Sequence, residues 1–60
     1  MYITKTNRGR LAVFVTESIE EIKRIMKTMY IDTGICKSYK IYETSIETYE
    51  KDYRDLGGEL

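Results

Sequence analysis

Residues 1–16 read MYITKTNRGRLAVFVT, and this stretch sets the architecture of the chain. Two runs rich in β-forming residues flank the turn tripeptide at 7–9. A three-residue hairpin loop uses a type I turn followed by a left-handed residue, and Gly9 adopts positive φ without steric cost. The stretch therefore predicts a β-hairpin in which Thr6 lies opposite Arg10.

This register divides the hairpin side chains between two faces. Residues that lie directly opposite each other share a face of the sheet, so Ile3 joins Val13 and Tyr2 joins Phe14. We expect the more apolar face to pack on the core, and it carries Ile3, Leu11, Val13 and Val15. The other face is partly aromatic and carries Tyr2, Thr4, Ala12 and Phe14.

Two capping boxes predict helices further along the chain. Ser18 with Glu21, and later Thr44 with Glu47, supply a hydroxyl and a carboxylate that satisfy free N–H groups of a first helical turn. Apolar residues follow each box at three- and four-residue spacing, as on one side of an amphipathic helix. The two stripes are Ile19, Ile22, Ile25, Met26 and Met29, and then Ile46, Tyr49, Tyr53 and Leu56.

The sequence between the helices alternates as a third strand. It places Ile35, Tyr39 and Ile41 on one side, and Cys36, Ser38, Lys40 and Tyr42 on the other. The predicted elements of a single domain of residues 1–60 are thus a hairpin at 1–16, a helix at 18–31, a strand at 35–43 and a helix at 45–56. This β-β-α-β-α order predicts an α+β fold, a small two-layer domain whose three-stranded, mainly antiparallel sheet carries both helices on one face.

Composition excludes several classes of function. The chain has no histidine and one cysteine, Cys36, whereas a structural zinc site needs a cluster of such ligands and a nucleophile normally needs an adjacent base. No glycine-rich phosphate loop occurs. We therefore predict no enzyme, no metal and no cofactor. A catalytic role stays open only for a subunit whose chemistry lies on another chain.

Length and segment composition indicate where the protein works. A lone thiol fits a reducing compartment, residues 1–6 do not resemble a signal peptide, and the apolar run at 11–15 is far shorter than the roughly 20 residues of a membrane span. We expect a cytoplasmic protein that makes no membrane contact. Because 60 residues bury a thin core, a larger partner or homo-oligomerisation is the expected additional source of stability.

The aromatic sheet face is the candidate binding surface. We expect Tyr42 and Lys40 of the third strand to join Tyr2 and Phe14 there, with nothing left to cover them. Tyrosine with arginine in a polar surround is enriched at the hot spots of protein–protein interfaces. The predicted binding residues are Tyr2, Arg8, Arg10, Phe14, Lys40 and Tyr42.

These residues predict a small non-enzymatic protein-binding module, an inhibitor or adaptor that occupies a surface of a larger protein or complex. In size and composition the chain resembles the small single-domain proteins that phages of low-GC bacteria direct against host machinery, anti-CRISPR proteins among them. The resemblance covers no motif and implies only a protein of that style.

Two alternatives stay open. The same aromatic and basic face would serve as a stacking platform for single-stranded nucleic acid, although the ten basic and ten acidic residues cancel and phosphate binding favours a basic excess. Alternatively, acidic residues near the carboxyl end would imitate a phosphate backbone. These are Glu43, Glu47, Glu50, Asp52, Asp55 and Glu59.

Overall fold

A three-stranded antiparallel sheet in the order β2-β1-β3 forms the centre of the molecule. The computed structural model describes residues 1–59, and Leu60, the last residue of the predicted domain, lies outside the described residues. The α+β class and the β-β-α-β-α order are confirmed. The strands are β1 (Tyr2–Thr6), β2 (Leu11–Phe14) and β3 (Tyr39–Glu43), and the helices are α1 (Ile19–Met26) and α2 (Tyr49–Asp55).

The hairpin has the predicted register and turn. The N–H of Thr6 donates to the carbonyl oxygen of Arg10 at 2.9 Å, and Gly9 takes a φ of +83°. The Thr6 hydroxyl adds two hydrogen bonds, in which its oxygen accepts the N–H of Arg8 at 3.3 Å and that of Arg10 at 3.0 Å. Side chain and backbone therefore fix the turn together.

The pairing of β3 changes which side chains share a face. Ile3 lies opposite both Val13 and Tyr42, so the expectation that Tyr42 shares a face with Tyr2 is wrong. A strand has a side-chain period of two, so an offset of one residue in the pairing exchanges its faces. The Ile3 face carries Ile3, Lys5, Leu11, Val13, Lys40 and Tyr42. The Thr4 face carries Tyr2, Thr4, Thr6, Ala12, Phe14, Tyr39, Ile41 and Glu43.

The two helices contact opposite faces of this sheet, which corrects the expectation that both pack on one face. On the Thr4 face, the Thr4 hydroxyl donates to Sδ of Met26 in α1 at 3.6 Å. On the Ile3 face, Nζ of Lys5 donates to the carbonyl oxygen of Leu56, just past α2, at 2.7 Å. The physical reason is that both faces have buried positions, since the neighbours Ile3 and Thr4 are both fully buried.

The first helix continues beyond Met26 as a π-helical turn, Lys27–Ile31. Ser18 caps the helix as predicted, its hydroxyl accepting the N–H of Glu21 at 3.3 Å. Of the apolar stripe, Ile22 and Met26 are fully buried, and Cys36 is buried in the core with them.

The later elements are shorter than expected. The third strand begins at Tyr39 and the second helix at Tyr49, whereas the sequence predicts starts at 35 and 45. The predicted second capping box does not cap the helix: the Thr44 hydroxyl instead donates to the carboxylate of Asp52, one turn inside α2, at 2.5 Å. Among residues 1–59, none of the helices has the length and apolar character that crossing a membrane requires.

Candidate binding site

A groove of about 430 Å³ opens at the hairpin end of the sheet, between β1 and β3. Lys5 and Lys40 lie directly opposite each other across this strand pair, and like charges in that position repel. A negatively charged group in the groove would relieve this repulsion. The lining residues are Lys5, Thr6, Asn7, Ser38, Tyr39, Lys40 and Tyr42.

Asn7 holds the rim of the groove together. Its N–H donates to the carbonyl oxygen of Ser38 at 2.9 Å, and its Oδ1 accepts the N–H groups of Lys37 at 3.0 Å and Ser38 at 3.3 Å. The hairpin turn is thereby joined to the segment that leads into β3. Because these bonds form within the chain itself, the rim is set before any ligand binds, which lowers the ordering cost of binding.

Lys5 is the half-buried cation of the groove. Its 2.7 Å bond to the carbonyl oxygen of Leu56 places an ammonium at the carboxyl end of α2, where the helix dipole favours positive charge. An ammonium carries three N–H donors. Lys5 therefore stabilises the end of α2 and still presents hydrogen-bond donors to the groove.

Five cations gather around this end of the sheet, on β1, the hairpin turn and the start of β3. Among residues 1–59, the ion pairs within 4.0 Å join the amino terminus to Glu17 and Lys51 to Asp55, so no described carboxylate neutralises any of the five. Half of the ten basic residues of a neutral chain thus form one positive surface. We call it the basic end, and it consists of Lys5, Arg8, Arg10, Lys37 and Lys40.

The structure divides the six predicted binding residues into two groups. Arg8 and Arg10 lie on the hairpin turn, and Lys40 and Tyr42 line the groove. The remaining two do not join them. Tyr2 and Phe14 form a cross-strand pair at the other end of the sheet, half-buried on the face that α1 contacts.

The predicted binding residues did not include five residues of the groove, which are Lys5, Thr6, Asn7, Ser38 and Tyr39. A signal for Lys5 was present, because it alternates with Ile3 on the face expected to pack on the core, where a lysine is unusual. No local pattern marks the role of Asn7 or Ser38, since their bond joins segments about 30 residues apart.

The aromatic residues do not form one stacking platform, because Tyr2 and Phe14 lie on the Thr4 face and Tyr42 lies on the Ile3 face. What the groove offers is a pair of lysines, two tyrosines, and amide and hydroxyl groups on a fixed rim. This set suits a carboxylate or phosphate flanked by a small apolar group. Comparison with known protein families, curated proteins and solved structures finds no match to this chain.

Proposed function

We propose that the protein is a non-enzymatic binding module whose basic end docks on an acidic surface of a larger protein, in the manner of an inhibitor or adaptor. The observation that carries this proposal is the set of five cations that no carboxylate within residues 1–59 pairs with. Clustered charge of one sign costs stability. A partner of opposite charge would recover that cost on binding.

The groove gives the basic end a defined point of attachment. Cations around its mouth would attract an acidic partner over a distance of roughly 10 Å at moderate ionic strength. Lys5 and Lys40 would then bind one partner carboxylate between them, and the ring of Tyr42 would supply contact area beside it. Tyrosine at a well-packed pocket is a typical hot-spot residue.

Single-stranded nucleic acid is the second candidate partner, because the same cations would contact phosphates. That hypothesis also needs aromatic rings on which successive bases stack. The division of Tyr2, Phe14 and Tyr42 between two faces leaves the groove with Tyr39 and Tyr42, both half-buried. The geometry therefore favours a protein surface over a base stack.

Charge reversal tests this proposal. Arg8→Glu and Lys40→Glu each change an exposed cation of the basic end, and Lys23→Glu makes the same change on the exposed side of α1. In a pull-down from a nuclease-treated bacterial lysate, we expect the tagged protein to retain a discrete protein. Each basic-end variant should retain it at least about tenfold less, a cost of about 1.4 kcal/mol, while the control retains it fully.

Circular dichroism of all three variants provides the folding control, since each changed side chain is exposed. Equal capture by all of them would show that the basic end is not the site. Capture that disappears when nuclease is added would assign the basic end to nucleic acid instead.

A further inference from the structure

The strand β2 forms an open edge of the sheet. In the order β2-β1-β3, the bond from Thr6 to Arg10 begins an alternation in which every second residue of β2 bonds to β1. The N–H and C=O groups of the residues between them therefore point outward. Among the described residues, the outward groups of Leu11 and Val13, and the backbone groups of Val15 one residue past the end of β2, have no hydrogen-bond partner.

This edge lacks the protection that the other edge has. Natural edge strands carry charges, prolines or bulges that prevent pairing with other chains, and β3 has Lys40 and Glu43. Residues 11–15 read LAVFV, five apolar residues without a charge. Val13 is 37% exposed and Val15 is 80% exposed, so the edge offers apolar side chains together with free backbone groups.

We infer that β2 pairs antiparallel with β2 of a second copy of this chain, about a two-fold axis at Val13. In this register, residues whose backbone groups point outward meet each other: Val13 meets its own equivalent, and Leu11 meets Val15 of the second copy. The two copies then exchange about six backbone hydrogen bonds. On the opposite face, Ala12 meets Phe14 of the second copy, so a small side chain lies beside a large one.

Charge complementarity identifies the occupant as a second copy. Arg10 precedes the apolar run and Glu17 follows it. The Glu17 carboxylate lies 3.8 Å from the amino-terminal nitrogen of its own chain, yet its side chain is almost fully exposed and can also meet a second cation. Antiparallel pairing brings the basic flank of each copy to the acidic flank of the other, so the strand is complementary to itself. The paired Leu11, Val13 and Val15 side chains form one apolar strip across the joined sheets, which covers surface that is exposed in the single chain.

The dimer leaves the groove of the proposed function free, and of the basic end only Arg10 lies at the pairing edge. The groove lies between β1 and β3, on the far side of β1 from the pairing edge, so it stays open in a six-stranded sheet. Two copies would present two grooves, and simultaneous engagement of both would raise the overall affinity for a partner with two acidic sites.

Sedimentation of the full chain from micromolar to millimolar concentration tests the dimer. We expect the mass to approach twice the 7.1 kDa of the monomer. Val13→Lys places two ammonium groups opposite each other at the axis, and we expect it to stay monomeric over the same range with an unchanged circular dichroism spectrum. The matched control Glu43→Lys changes the other edge and should dimerise like the wild type. A wild-type chain that stays monomeric at millimolar concentration would overturn the inference.

A cross-link tests the register without relying on a destabilising charge. Val13→Cys places two thiols on residues whose Cα atoms are about 5.5 Å apart, within the range of a disulfide. Val15→Cys places the two cysteines roughly 13 Å apart along the strands. Under copper phenanthroline oxidation we expect Val13→Cys to form a covalent dimer. Val15→Cys should remain a monomer, and so should the wild type, whose single Cys36 is buried. The opposite pattern, or no cross-link at position 13, would refute pairing about Val13.

Discussion

At the scale of single residues, two glycines determine how α2 ends. The N–H of Gly57 donates to Arg54 and that of Gly58 to Tyr53, both at 2.9 Å, which is the Schellman pattern. Gly57 has a φ of +105°, and a Cβ at position 58 would overlap the ring of Tyr53. The same ending leaves the Leu56 carbonyl to accept Lys5, so the helix terminus and the groove are structurally linked.

We predict that Gly58→Ala lowers the free energy of unfolding by about 1–3 kcal/mol, as overpacking does elsewhere. The cause is the contact with Tyr53, so most of this cost should disappear in a Tyr53→Ala background. Urea unfolding of the two single variants and the double variant measures the coupling. Purely additive costs would mean that Gly58 is required for a reason other than the approach of that ring.

At the scale of the elements, the π-helical turn Lys27–Ile31, which continues the first helix, has no fully buried residue. Asp32 closes it with an N–H bond to the Lys27 carbonyl at 2.8 Å, across five residues. A wider turn rotates the following side chains off the stripe expected for an α-helix. This accounts for Met29, which is 60% exposed although its spacing from Ile22 and Met26 predicts burial.

Backbone hydrogen exchange should therefore separate the two halves of this helix. We expect the amides at 23–26, in the turn that packs on the sheet, to exchange at least about tenfold more slowly than those at 30–32, because segments with few buried contacts open locally. Exchange measured by NMR at one pH, corrected for intrinsic rates, provides the comparison. Equal protection along 22–32 would show that the π-helical turn opens only with the whole domain.

The hairpin and the third strand differ in how well the sequence predicts them. The hairpin and its register were predictable because turn chemistry and alternation are local. The face of Tyr42 and Lys40 was not predictable, since it depends on how β3 pairs with β1. The N–H groups of Lys37 and Ser38, which donate to Oδ1 of Asn7, hold that pairing. The groove depends on the same tertiary contact, so the sequence predicts its cations but not their arrangement around a cavity.

At the scale of the whole molecule, charge is separated along the sheet. The basic end surrounds the hairpin turn, whereas Glu17 pairs with the amino terminus and Glu43 lies opposite Tyr2 at the far end of β1. Charge of one sign gathered at one end of a neutral chain creates a local positive potential, which steers acidic partners toward that end before contact. Binding at the basic end should therefore depend on ionic strength more strongly than the zero net charge suggests.

We predict that hexaglutamate, as a probe for an acidic protein surface, shifts the NMR signals of Asn7, Ser38 and Lys40 at low salt. Raising the salt from about 0.01 M to about 0.1 M shortens the screening length from about 30 Å to about 10 Å, so we expect affinity to fall at least about tenfold. Lys40→Glu should abolish the shifts, and Lys23→Glu should preserve them. Shifts spread evenly over all cations would show that the groove has no special affinity for carboxylates.

Oligothymidylate of equal charge provides the comparison with nucleic acid. If it binds more than about tenfold tighter than hexaglutamate, base stacking adds to the charge interaction, and the groove recognises bases as well as an anion.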